Sequence, residues 1–153
     1  MDEYERFMRV AMVEAGKAKE KQEVPIGAVI VRNGKVIARG HNKKNRGNNA
    51  LLHAEMIAIN KAIEKLGDWR LTDCDLYVTL EPCPMCAGAC INARVRSVIF
   101  GAYDPKAGCC GTLYNLPEDT RFNHRPKVVG GILEDECGKI LSDFFKSLRK
   151  NKE

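Results

Sequence analysis

Apolar side chains recur every three to four positions near the amino end of the chain, at Tyr4, Phe7, Met8, Ala11, Met12, Ala15 and Ala18. That spacing predicts an amphipathic helix over about residues 2–20. The pattern then changes. Residues 27–31 and 36–39 are rich in β-formers and flank Arg32-Asn33-Gly34-Lys35, where Asn-Gly marks a tight hairpin turn. Helical spacing resumes near His53 and runs to about Leu66. Residues 76–79 read as a buried strand, 84–93 as a short helix and 97–101 as another strand. The stretch 102–122 is rich in Gly, Asp, Pro and Asn and is expected to be mostly loop; 127–129 can add a strand. Cys137, Ile140, Leu141, Phe144, Phe145 and Leu148 fall on one face of a closing helix. This order predicts a layered α/β domain with helices over a central sheet, and the early hairpin makes that sheet mixed.

Length and composition narrow the class. No repeat, low-complexity tract or linker interrupts the pattern, and 153 residues suit one domain spanning 1–153. The apolar fraction of 44% and charged fraction of 29% are those of an ordinary globular protein. No apolar run approaches the roughly 20 residues that span a bilayer. The chain opens Met1-Asp2-Glu3-Tyr4-Glu5, acidic where a secretory signal is basic, so a soluble, cytoplasmic protein is expected. Seven cysteines, an odd count without an export signal, favour reduced thiols or metal ligands over a disulfide framework. The net charge of +5 is compatible with a nucleic-acid partner but does not single one out.

The chemistry concentrates in two short segments, His53-Ala54-Glu55 and Pro82-Cys83-Pro84-Met85-Cys86. Cysteines at i and i+3 project from one side of a helical turn, so two thiolates can bind one ion. A helix N-terminus favours the thiolate, and Pro82 and Pro84 suit the start of such a helix. His53, Cys83 and Cys86 make three ligands, which is a catalytic count for zinc because the fourth position stays open to water. Glu55 is the natural proton carrier for that water. It stands two residues from His53, so the two share a site only if the helix begins there. Asn48, Asn49 or a nearby residue is the expected cap.

Each segment alone is weak, since Cys-x-x-Cys also describes redox pairs, structural zinc sites and buried thiols. Together and in this order they form the signature of zinc nucleobase deaminases. Cys90, one turn beyond Cys86, reads as core packing, with a fourth ligand as the alternative. Cys109-Cys110 is the more serious rival, as a second metal or redox site, while Cys74 and Cys137 look structural.

Over residues 4–150 the sequence closely resembles the bacterial tRNA-specific adenosine deaminases of the cytidine deaminase superfamily. The likeness rests on the segments Glu23 to Val29 (EVPIGAV), Gly40-His41-Asn42, His53-Ala54-Glu55, Trp69-Arg70-Leu71, Leu76 to Gly88, Gly101 to Gly108, Phe122-Asn123-His124 and Asp143-Phe144-Phe145. It implies a three-layer cytidine-deaminase-like fold with a central mixed five-stranded sheet flanked by helices. It implies a hydrolase holding one zinc per subunit, which converts adenosine to inosine at the wobble position of a tRNA anticodon stem-loop, and a homodimer. Carried onto this chain, Asn42 would hydrogen-bond the flipped base and Asp104 would lie near the ribose. Phe144, Phe145 and Arg149 would border the anticodon loop.

One departure stands out. The family carries Pro-Thr-Ala where this chain has Ala50-Leu51-Leu52, which places two large apolar side chains beside His53. A second tRNA, a free nucleoside or a free base therefore gains weight as substrate, and the nearest rival reading is a small-molecule deaminase of the same fold acting on guanine, cytosine or a nucleoside. A zinc-stabilised RNA-binding module without catalysis and a thiol redox protein are the rivals from other classes. Lys43, Lys44 and Arg46, and Lys146, Arg149, Lys150 and Lys152, form two basic clusters that can hold phosphates. Tyr103, Phe122 and His124 can stack on bases, although each alone is more often packing.

Overall fold

The structure is a computed structural model that describes residues 2–151. Helix α1 spans Glu3–Glu20 and begins where the Asp2 carboxylate accepts the Glu5 N–H at 2.8 Å. Strands β1 (Gly27–Arg32) and β2 (Lys35–His41) form the expected hairpin. Asn33 and Gly34, with φ of 52° and 74°, supply the two left-handed residues that a two-residue turn requires. Then follow α2 (Ala54–Leu66), β3 (Cys74–Leu80), α3 (Pro84–Asn92), β4 (Ser97–Ala102), β5 (Lys127–Val129) and α4 (Glu134–Asn151). The long segment between β4 and β5 is loop apart from one isolated bridge between Cys110 and Asn115.

The five strands form one mixed sheet in the order β2-β1-β3-β4-β5. β1 runs antiparallel to both β2 and β3, whereas β3, β4 and β5 are parallel. It follows that every strand except β1 points the same way. The carboxyl ends of β2, β3 and β4 therefore open on one edge, where open α/β sheets hold their sites.

Alternation along the strands divides the core into two layers. Ala28, Ile30, Leu76, Val78, Val98 and Phe100 pack with Ala54, Ala58 and Ala62 of α2 and with Ala87 and Cys90 of α3. Val29, Val31, Tyr77 and Ile99 face the other way, against Phe7, Met8 and Ala11 of α1 and Cys137 of α4. Each large core side chain buried this way is worth about 2 kcal/mol of transfer free energy. Small residues dominate the α2 side because the helix lies very close to the sheet. A β-carbon at Gly40 would come within 2.4 Å of the Ala54 carbonyl oxygen.

The stripe expected on α4 is only partly buried. Cys137 and Phe144 reach the core, but Phe145 and Leu148 stay 42% and 41% exposed. No helix among the described residues is long and apolar enough to cross a membrane.

Candidate active site

Two helix N-termini meet at the open edge of the sheet. β2 leads through Asn42 and a loop into α2, and β3 leads through Glu81 and Pro82 into α3. His53 is the N-cap residue of α2 and Cys83 that of α3, each with extended backbone, and Pro84 opens α3. Having His53 at the cap settles the spacing problem. It stands outside the regular helix, so Glu55 in the first turn can turn toward the same centre.

The Sγ atoms of Cys83 and Cys86 each lie 3.6 Å from His53 Nδ1. All three ligand atoms fall within 4.8 Å of one another. A tetrahedral ion with nitrogen at about 2.1 Å and sulfur at about 2.3 Å needs a nitrogen–sulfur separation of about 3.6 Å. The cluster is therefore already the right size to hold a metal ion.

Its electrostatics suit a cation. A hydrogen bond from Cys86, then one from His53, brings the Cys83 thiol down to about 4. Cys86, which donates to Cys83 and is buried, is shifted up, and the bond to Cys83 also raises His53. An anionic sulfur thus stands ready, beside two groups whose protons an incoming ion would displace to solvent.

Glu55 is 4% exposed. Burial pushes its carboxyl up to about 7; the neighbouring Cys83 adds to the rise and His53 opposes it. A carboxyl that titrates near neutrality can both take and give a proton there.

The remaining thiols stand apart from this cluster. Cys90 is fully buried among core residues, and burial raises its pKa. Cys109 and Cys110 also lie in the core, 1% and 2% exposed, with pKa values raised chiefly by burial. Neither joins the group of metal-ligating atoms around His53. Cys74 and Cys137 are buried, as expected.

The cap of α2 comes from an unexpected place. Asn42 Oδ1 accepts the Ala54 N–H at 2.8 Å, so the cap arrives from the end of β2 rather than from Asn48 or Asn49. Asn49 accepts the Leu51 N–H instead. Leu51 is 59% exposed, and Leu52 lies over Gly47 of the preceding loop.

The other expected substrate residues separate into two groups. Asp104 and Phe145 line a cavity of about 560 Å³ between α4 and the loop after β4, together with Leu80, Tyr103, Lys106 and Leu141. Phe144 is buried beneath, edge-on to Phe145 with ring centroids 5.5 Å apart. Arg149 is exposed near the end of α4, beyond the cavity wall. His124 binds the Val95 carbonyl oxygen at 2.6 Å through Nε2, and Phe122 is 41% exposed. Lys44, Arg46, Lys146 and Lys150 are exposed and Lys43 is half-buried, while Lys152 lies outside the described residues.

Two of the buried glutamates that carry no sequence signal hold loops. Glu23 accepts the N–H groups of Asn45 and Arg46 at 3.1 and 2.8 Å and so pins the basic loop. Glu81 pins the loop after β4. Nothing in a lone glutamate, whether after the polar run ending at Gln22 or at the end of the apolar strand before Glu81, signals burial; the signal is a loop folding back over it.

The family described as MafB19-like deaminase matches residues 1–149. A tRNA-specific adenosine deaminase of Bacillus subtilis (strain 168) is 57% identical over 152 residues, covering 99% of this chain and 94% of that protein. A solved structure of a tRNA:A34 deaminase, from work on A-to-I editing at the wobble position of transfer RNA, superposes with a TM-score of 0.85. It is 46% identical and covers 89% of this chain and 99% of its own. A guanine deaminase from Bacillus subtilis is 41% identical but has a TM-score of 0.63, covering 67% of this chain and 66% of its own. The fold is thus the cytidine-deaminase-like one, and the chain belongs to the family of the tRNA-specific adenosine deaminases.

Proposed function

We propose that residues 1–153 act as one zinc-dependent deaminase domain, which hydrolyses adenosine to inosine at the wobble position of a tRNA anticodon stem-loop. The observation that carries the chemistry is the triangle of His53, Cys83 and Cys86 with Glu55 buried in the first turn of the helix that His53 caps. The names of the relatives carry the substrate.

His53, Cys83 and Cys86 would hold the zinc, which when bound would acidify a water. Glu55 takes the proton of that water and passes it to the ring nitrogen next to the amino carbon as the water oxygen adds to C6 of adenine. Glu55 then takes the proton of the new C6 hydroxyl and hands it to the amino group, which leaves as ammonia as the C6 carbonyl forms. Water and adenosine are consumed, inosine and ammonia are formed, and Glu55 ends as it began. Asn42, held by its bond to the Ala54 N–H, would offer its side-chain amide to the base.

An anticodon base reaches this centre only when extruded from its stack, at a cost of a few kcal/mol that is lower in a single-stranded loop. Asp104 and Phe145 supply a wall for the neighbouring nucleotides, with Phe144 holding Phe145 from below. Lys43, Lys44, Arg46, Lys106 and Arg149 supply cations for the phosphates. A homodimer and a cytoplasmic location complete the reading. The exposed neighbours Leu113 and Tyr114, at 51% and 68%, support a covered face.

The test is ammonia release by purified zinc-loaded protein, offered an anticodon stem-loop with adenosine at the wobble position. Free adenosine, guanine and cytidine are run in parallel. Release from the stem-loop alone, with inosine at that position, is expected. Release only from a free base or nucleoside would overturn the substrate and turn attention to Leu51 and Leu52. Sedimentation of the same sample tests the dimer.

A further inference from the structure

Glu81 is 2% exposed, yet it is not part of the metal cluster. Its Oε1 accepts the Asp104 N–H at 3.0 Å and the Thr112 hydroxyl. Its Oε2 accepts the N–H groups of Cys110 and Thr112 at 3.1 and 2.9 Å. These four partners are neutral, and all lie in the loop after β4. A buried carboxylate is tolerable only when its lone pairs are met in this way, so the loop and the side chain depend on each other.

Two further observations point the same way. A β-carbon on Gly108 would fall 2.4 Å from both the carboxyl carbon and Oε1 of Glu81, so the loop can close on the carboxylate only with glycine there. The backbone on either side is strapped as well: Glu81 N–H donates to Ala102 O at 2.8 Å and Cys109 N–H to Pro82 O at 2.9 Å. On its outer side the loop is braced by Asp104, whose carboxylate accepts the N–H groups of Lys106 and Ala107 at 3.0 and 3.2 Å. The stretch so held, Tyr103 to Lys106, forms one wall of the cavity opposite Leu141 and Phe145 of α4.

We propose that Glu81 is a positioning residue for substrate: its buried carboxylate fixes the wall Tyr103–Lys106 in its binding shape while leaving the metal centre and Glu55 to do the chemistry. This rests on the wobble-adenosine reading for the identity of the substrate. A wall fixed in advance costs nothing to order when RNA binds, whereas a loosened wall must be ordered at the expense of affinity. The effect therefore belongs in KM rather than in kcat. The carboxylate cannot be replaced by the amide, because the NH₂ of glutamine would face N–H donors that need acceptors.

The test compares Glu81→Gln, Thr112→Val and Thr112→Ser in zinc-loaded protein with the anticodon stem-loop as substrate. Thr112 is exposed, so its valine variant keeps the question answerable if E81Q fails to fold. E81Q is expected to raise KM about tenfold and T112V about threefold, with kcat within about twofold and zinc retained. T112S restores the hydroxyl donor and is expected to restore KM. Amide hydrogen exchange at Asp104, Cys110 and Thr112 reads the loop directly and is expected to quicken about tenfold in E81Q or T112V. Unchanged KM with unchanged exchange overturns the proposal, and so does a loss confined to kcat and zinc content. If the wild-type protein leaves the stem-loop untouched, the tRNA reading fails. The exchange rates then still decide whether Glu81 fixes the wall.

Discussion

Asn42 and Ala54 are joined by a hydrogen bond of 2.8 Å from the Ala54 N–H to Asn42 Oδ1. Through it the end of β2 caps the helix whose first residues carry His53 and Glu55. The observed cap and the proposed contact with the base are two tasks that substitution separates. Asn42→Ala removes both and is expected to cost about 1 kcal/mol of stability, the usual worth of a cap, along with activity. Asn42→Asp keeps the acceptor and loses the N–H donor. Its stability, read from urea midpoints, is expected to stay within about 0.5 kcal/mol of the parent. Its turnover of the stem-loop is expected to fall at least about tenfold, the worth of one lost hydrogen bond to substrate. Full activity in N42D would leave Asn42 a cap and nothing more.

Gly40 sets how near that helix comes. A β-carbon there would stand 2.4 Å from Ala54 O and 2.8 Å from Ala58 N, both backbone atoms that cannot swing aside. Gly40→Ala is expected to push α2 off the sheet and cost about 3 kcal/mol, with metal affinity falling as His53 moves. Gly16, in the middle of α1, has nothing within 4 Å of the same test atom. Gly16→Ala is expected to stabilise by about 0.5 kcal/mol or more. Equal effects at both positions would refute the close-packing argument.

The ligand triangle and the shuttle predict opposite variants. His53→Ala, Cys83→Ala and Cys86→Ala are each expected to leave half or less of the parental metal, with melting lowered by about 5 °C or more, because metal binding is coupled to folding. Chelation of the parent is expected to lower melting similarly. Glu55→Gln is expected to keep its metal and lose about 10² to 10⁴ in turnover. Metal content by atomic absorption, measured beside ammonia release, separates the classes. Unchanged zinc in H53A would remove His53 from the ligand set.

What the sequence revealed and what it hid follows from the range of each interaction. The hairpin, the three residues of β5 and the limits of α2 were legible because turn chemistry and apolar period are local signals. The convergence of His53, Cys83 and Cys86, a group that could hold a metal ion, was legible because two short motifs fix two helix starts. The Asn42 cap was not, because its partner lies 12 residues away and nearer asparagines satisfied the local rule. Glu23 and Glu81 carry no local signal of burial, since only a loop folding over them makes a carboxylate internal. Leu51 was expected to crowd His53, but the loop carries it outward to 59% exposure. Specificity is accordingly the part read least directly from the chain.

His41 gives the fold a pH dependence with a definite sign. It is 8% exposed beside Asn42. Its Nε2 lies 3.3 Å from Lys21 Nζ and its Nδ1 3.6 Å from Glu14 Oε1. An ammonium can only donate, so Nε2 accepts and Nδ1 carries the proton toward Glu14. Burial, then the charge of Lys21, lowers its pKa below the ordinary 6.5; Lys43 adds to this, and Glu14, itself facing Lys17 and Arg39, opposes it. Below pH 6.5 the unfolded chain binds a proton at this residue that the folded chain refuses. Stability contributed by neutral His41 is thus present above the unfolded value and lost as pH falls below 6.5 toward the lowered folded value. His41→Gln removes the titration. Unfolding free energies of the two proteins, measured in urea between pH 7.5 and about 5, are expected to fall more steeply for the parent. Parallel curves would mean that His41 titrates alike in both states and that the Lys21 contact does not hold it neutral.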